Sequence, residues 1–160
     1  MSRYEWLLFL HVLAAFAFLT AYTMATAILV GARRVTTRRG ALTLLRLARP
    51  ADVLAWVGAV GTLVFGIWLV VDVEGYELWD GWILNAFLFW IVAEEAIRRE
   101  DLILRRASRA ARVPALPNAP DPAEELRAVL HARHVVALHV VGSAALLALL
   151  ALMIFKPGAA

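Results

Sequence analysis

The sequence predicts an all-α protein: an antiparallel four-helix transmembrane bundle with cytoplasmic helix extensions. Three observations carry that expectation. Hydrophobic residues make up 62% of the 160 residues and the mean hydropathy is +0.74, whereas a soluble domain is nearer half apolar. The apolar residues are blocked into long uncharged runs, the mark of membrane spans rather than of a soluble core. The segments between the runs alternate from arginine-rich to acidic to arginine-rich, as the positive-inside rule asks of a chain that crosses repeatedly. The length suits one domain, residues 1–160, with spans at about 6–31, 52–71, 79–95 and 134–155.

The first span runs from Trp6 to Gly31 with His11 and Tyr22 as its only ionisable side chains, and Tyr4 and Trp6 stand where an interfacial aromatic belt belongs. Only Arg3 precedes this run and no small-residue cleavage site follows a short apolar core, so it reads as a retained span, not a cleaved signal. The second span is uncharged from Val53 to Val71, with Pro50 and Asp52 as its expected start and Asp52 as the cap. Gly58, Gly61 and Gly66 thin it along its length. Close helix packing is the plain reading of such residues in lipid, and room for a flat cofactor is the other.

The connector at 72–80 is acidic. The third apolar stretch, Gly81 to Ala93, is shorter than the roughly 20 residues a span needs. The arginine-rich segments 32–49 and 94–133 fall on one side of the membrane only if this stretch crosses. Its helix is expected to continue into the cytoplasm, with Glu and Arg three to four apart pairing on the solvated part. PALPNAPDP is the one clear break, with Asp121 as cap and Pro122 at the first position of a helix expected to run uninterrupted to Phe155. Its Leu126, Val129 and Leu130 side should pack on Ile97, Leu102 and Leu104, and Lys156 and Pro157 should end it at the outer face. These segments place both termini outside a bacterial cytoplasmic membrane in a multi-pass chain.

With no cysteine, disulfides, thiol redox chemistry, iron–sulfur clusters and cysteine-type zinc sites are excluded. The net charge of +3 comes almost wholly from arginines flanking the spans. They lack the interleaved aromatics of a nucleic-acid surface, so membrane lipids are the expected partner and nucleic acid is not. No phosphate loop, nucleophile elbow or HExxH motif occurs.

Three pieces together carry a resemblance: WLLFLHVLAAF, GTLVFGIWLVVD and YELWDGWILNAFLFWIVA. The chain resembles an uncharacterised family of small bacterial four-helix integral membrane proteins. Its first span, with Trp6 five residues before His11, is similar to that of HemJ-type protoporphyrinogen oxidases and of CopD-type membrane domains. In HemJ-type proteins the first-span histidine ligates a b-type haem, so the resemblance implies that role for His11, with electron transfer or porphyrin oxidation as the activity. Those proteins carry a lysine in the third span. Here Asn85 is the only strongly polar residue in its middle.

Ionisable groups inside a bilayer are costly, so each is a functional candidate. His11 lies about 7–8 Å inside the outer boundary, Asn85 about 9 Å, and Gly66 at a similar depth. A ligand, an amide and room for a cofactor could thus share a layer as a haem or metal site, with His11 as the metal ligand. A neutral His11 bonded to Asn85 or a backbone carbonyl would merely tie two helices, and a proton or substrate path is the remaining reading. A second polar layer nearer the cytoplasm would hold His139, Glu94 and Tyr22, with Thr26 and Trp56 close by. His139 and Glu94 there form either a relay or a structural pair. His131 and His134, three apart, should share a helix face, as a metal grip or as solvated side chains. Trp68, Trp79, Trp82 and Trp90 supply aromatic surface for lipid or partner. The alternative to a haem protein is a non-catalytic subunit of a larger membrane complex or of a homo-oligomer.

Overall fold

The computed structural model describes residues 2–72, 77–112 and 122–156, without the side chains of Arg49 and Pro122. The cap at Asp121, most of the PALPNAPDP break and the stop at Pro157 lie outside the described residues. Within them every regular element is a helix: α1 (Arg3–Arg34), α2 (Arg38–Asp72), α3 (Gly81–Ala110), α4 (Pro122–His131) and α5 (Arg133–Phe155). Three of these, α1, α2 and α5, are long and apolar enough to cross a membrane. Helix α3 is not among them, because its uncharged stretch ends at Ala93.

The chain packs as two compact units, one of Met1–Gly31 with Thr43–Asp80, the other of Ala32–Leu42 with Gly81–Ala160. In the first, α1 opens with a capping box. The Ser2 hydroxyl accepts from the Glu5 N–H at 3.2 Å and the Glu5 carboxylate accepts from the Ser2 N–H at 2.7 Å, which satisfies donors that a helix start leaves free. The glycines of α2 then set how closely α1 can approach. A Cβ on Gly58 would stand 2.5 Å from the Phe18 backbone nitrogen, one on Gly61 would stand 2.9 Å from the Ala14 Cβ, and one on Gly66 would stand 3.0 Å from His11 Cε1. Residue numbers fall on α1 as they rise on α2, so the two helices run in opposite directions along one seam. All three glycines therefore serve close helix packing, where dispersion between near backbones replaces the hydrophobic effect that lipid cannot supply. At one end of this seam Arg3 reaches Asp72 at 2.8 Å and lies 5.8 Å over the Trp68 ring.

Two expectations about α2 are corrected. Its start is not at Pro50 and Asp52: the helix begins at Arg38 and carries Pro50 inside it. Thr37 is the cap, its Oγ1 accepting from the Gly40 N–H at 3.2 Å. Proline costs this helix one backbone donor, and the helix continues through it, with Ala51 buried just after it. The arginine-rich segment 32–49 is thus a tight corner, Val35–Thr37, between two helices.

In the second unit α3 and α5 lie side by side. Lys156 stands 5.7 Å over the Trp82 ring, and 18 residues further along α3 Glu100 meets His139 at 3.1 Å. The directions of this pair are therefore opposed. Small residues form the seam: Ala86, Ala93 and Ala96 on α3, Gly142 and Ala145 on α5, all buried. Trp82, expected on the surface, is buried here, whereas Trp79 is exposed. On the solvated part of α3, Glu95 pairs with Arg98 and Arg99, and Asp101 with Arg105, as the spacing predicts.

The fourth helix is not continuous. It breaks at Ala132, whose backbone is extended at φ −62°, ψ 133°. There the Leu130 carbonyl, which a continuous helix would offer to His134, accepts instead from Arg33 Nε at 2.7 Å. Arg127 also reaches across to the Thr36 carbonyl. The α1–α2 corner thus holds α4 from two points. Leu126 and Leu130 are buried and α4 packs on α3, as their pattern predicts, but Leu102 stays 40% exposed. The break also separates His131 from His134, so they do not share a helix face. His131 Nδ1–H instead donates to the Arg127 carbonyl at 3.0 Å.

Candidate functional site

His11 projects from α1 towards α2 at the level of Thr62 and Gly66. Its Nδ1 lies 3.0 Å from the Thr62 carbonyl oxygen. A carbonyl only accepts, so Nδ1 carries the proton and the imidazole is the Nδ1–H tautomer with a lone pair on Nε2. The Cε1–Nδ1 edge is the one against α2, 3.0–3.3 Å from where a Gly66 Cβ would be. Glycine at 66 thus leaves room for this edge of the ring against α2. Thr62 is fixed in turn, its own hydroxyl donating to the Gly58 carbonyl at 2.7 Å. Among the described residues nothing hydrogen-bonds to His11 Nε2.

That arrangement satisfies one nitrogen and orients the other. The first effect ties α1 to α2, as the backbone-carbonyl reading of His11 expects. The second is the usual state of a metal-binding histidine, whose non-ligating N–H is held by a carbonyl or carboxylate so that the ring direction and tautomer are set. The residues present therefore fit a single imidazole ligand. No group of three or more potential metal ligands gathers among the described residues.

Of the partners expected for His11, Gly66 is in contact with it. Asn85 belongs to the other unit, and its amide is turned back on its own helix, donating to the Gly81 carbonyl at 2.7 Å. The second polar layer is also rearranged. His139 meets Glu100, not the expected Glu94, with both side chains largely buried at 17% and 10% exposure. The α3 residues turned towards α5 are Ala93, Ala96 and Glu100. Glu94 is six residues before Glu100 and so points about 120° away on the helix. Tyr22 lies in the first unit, its carbonyl accepting from Thr26 Oγ1 at 2.9 Å, and Trp56 is exposed. Sequence reasoning missed Glu100 and Thr62. Depth counted from the charge boundary at Glu94 could not reveal Glu100, and a backbone acceptor leaves no side-chain signal.

Residues 5–157 match a family described as a predicted integral membrane protein, DUF2269. The chain belongs to the DUF2269 family. Its three span-length apolar helices agree with that description. No curated protein and no solved structure matches the chain. For this DUF2269 protein the family description extends to the membrane and no further, and the chemistry rests on the histidine geometry.

Proposed function

We propose that this DUF2269 protein is a four-span membrane protein that binds a b-type haem through His11 Nε2, for electron transfer or porphyrin oxidation. The observation that carries the reading is the His11 ring itself: Nδ1–H is committed to the Thr62 carbonyl, the Cε1–Nδ1 edge lies against Gly66, and Nε2 has no hydrogen-bond partner among the described residues. The bound group would supply reversible one-electron chemistry. The protein's part is to hold the imidazole. The Thr62 carbonyl fixes the tautomer and raises the basicity of Nε2, the Thr62–Gly58 bond keeps that carbonyl in place, and Gly66 admits the ring. The first-span likeness to HemJ-type and CopD-type proteins points the same way. The purified protein is expected to carry haem in equimolar amount in a pyridine haemochrome assay. A colourless preparation from haem-supplemented cells would overturn the assignment and favour the non-catalytic subunit.

Four spans follow from the α3–α5 pair. Helix α5 has span length, and α3 stays beside it from Trp82 to Glu100, about 27 Å at 1.5 Å per residue. A bilayer crossed by α5 would then be crossed by α3 too, with its uncharged stretch Gly81–Ala93 in the apolar layer and the Glu95–Arg98–Arg99 cluster at its solvated inner edge. Both termini lie outside and the α1–α2 corner lies in the cytoplasm by the loop charges. In a chain without native cysteine, Leu78→Cys is expected to react with an impermeant thiol reagent from outside intact cells, while Thr37→Cys and Ala110→Cys react only after lysis. Reaction of Ala110→Cys from outside would return α3 to one side of the membrane.

A further inference from the structure

A groove of about 540 Å³ lies open between α3 and α5, on the second unit alone. Each helix contributes one stripe at i, i+3, i+4, i+7 spacing: Arg99 to Arg106 on α3 and His134 to Val141 on α5. Its floor is apolar, with Leu102 and Ile103 of α3 facing Leu138 and Val141 of α5. Its polar groups carry or can take positive charge. Arg99 gives its Nε to Glu95 at 2.6 Å, which partly neutralises it. Arg106 pairs with no carboxylate among the described residues, and His134 is exposed beside it. The other acidic groups of this stretch are already committed, Asp101 to Arg105 and Glu100 to His139.

We infer that this groove binds an anionic phospholipid, with Arg106 and Arg99 on the phosphate and the Leu102–Leu138 floor under the upper acyl chain. A soluble anion would use the guanidinium groups and have no use for the apolar floor. A neutral acyl chain would use the floor and leave Arg106 unpaired. The volume suits a headgroup and the start of one chain. The position suits it too: α5 turns continuously apolar just after His134, which in the four-span reading is the cytoplasmic boundary, where anionic headgroups attract arginine. The inference rests on that reading of the helices and is independent of haem.

The test uses the full chain in vesicles, with the single cysteine of Leu102→Cys carrying a fluorophore. Phosphatidylglycerol and phosphatidylcholine with brominated acyl chains are compared as quenchers at equal mole fraction. Phosphatidylglycerol is expected to associate with the labelled groove about fivefold more strongly, the size of one arginine near an anionic surface. Arg106→Gln, at an exposed side chain whose loss leaves folding intact, should remove most of that preference. A label at Phe16→Cys on the exposed face of α1 should be quenched equally by both lipids. Equal quenching at Leu102→Cys overturns the inference, as does a preference that survives Arg106→Gln. No quenching there by either lipid, with normal quenching at Phe16→Cys, places the groove outside the bilayer and overturns it too. Reversal of the preference by excess inorganic phosphate would make this a soluble-anion site instead.

Discussion

Gly58→Ala should be more damaging than the same change at Gly61 or Gly66. The new Cβ would sit 2.5 Å from the Phe18 nitrogen and 2.8 Å from its Cα. Those are backbone atoms of a helix, so no side-chain rotation relieves the clash and α1 must move away from α2. Overpacking costs about 1–3 kcal/mol where side chains can give, and the upper end or more is expected here. Thermal unfolding in detergent followed by circular dichroism measures it. Gly81→Ala, where a Cβ meets nothing within 4 Å, should leave the transition nearly unchanged. A neutral Gly58→Ala would contradict the seam between α1 and α2.

Glu100→Ala should cost a similar amount in the second unit. It leaves the His139 N–H without its carboxylate between α3 and α5, and removal of one partner from a buried pair costs about 3–5 kcal/mol. Glu100→Gln keeps an acceptor for Nδ1–H and should cost much less. Replacing both residues, Glu100→Leu with His139→Leu, should recover most of the stability, because the cost arises from removing one member of a buried pair alone. In a double-mutant cycle the coupling should be clearly non-zero. Additive effects would mean that the 3.1 Å contact contributes nothing to the packing of α3 on α5.

Most of the helical framework is legible in the residue pattern because lipid makes the rules severe. Uncharged runs mark α1, α2 and α5, the three glycines mark the α1–α2 seam, and the i, i+4 charge pairs mark the solvated part of α3. What was not legible depends on register or on distant partners. The break at Ala132 goes with the bond from Arg33 to the Leu130 carbonyl, partners 97 residues apart in sequence, and alanine itself is the best of helix formers. Pairing of His139 with Glu100 follows from how α3 slides along α5, which small residues permit but do not announce. Pro50 looked like a boundary because proline usually is one, yet a single missing donor is tolerated inside a well-packed helix.

At the candidate site the pattern was half informative. His11 and Gly66 fall at one depth when counted at 1.5 Å per residue, and they are in contact. Asn85 falls at that depth too, but an amide on a helix can always bond to the carbonyl four residues back, as it does with Gly81. Depth alone therefore picks the layer and not the partners. The orientation of the His11 ring, on which the functional reading depends, was set by a backbone carbonyl.

That reading is tested most directly by comparing the oxidised and dithionite-reduced absorption spectra of the wild-type protein, His11→Ala and His139→Ala. In the proposed four-span topology, residue counts along the helices put His11 about 7–8 Å and His139 about 25 Å from the outer boundary, so the proposal assigns the iron to His11 alone. His139 is moreover already engaged by Glu100. The account predicts a Soret band and reduced-state bands in the wild type, their loss or strong shift in His11→Ala, and a largely intact spectrum in His139→Ala. A haem spectrum that survives His11→Ala and disappears in His139→Ala would contradict it.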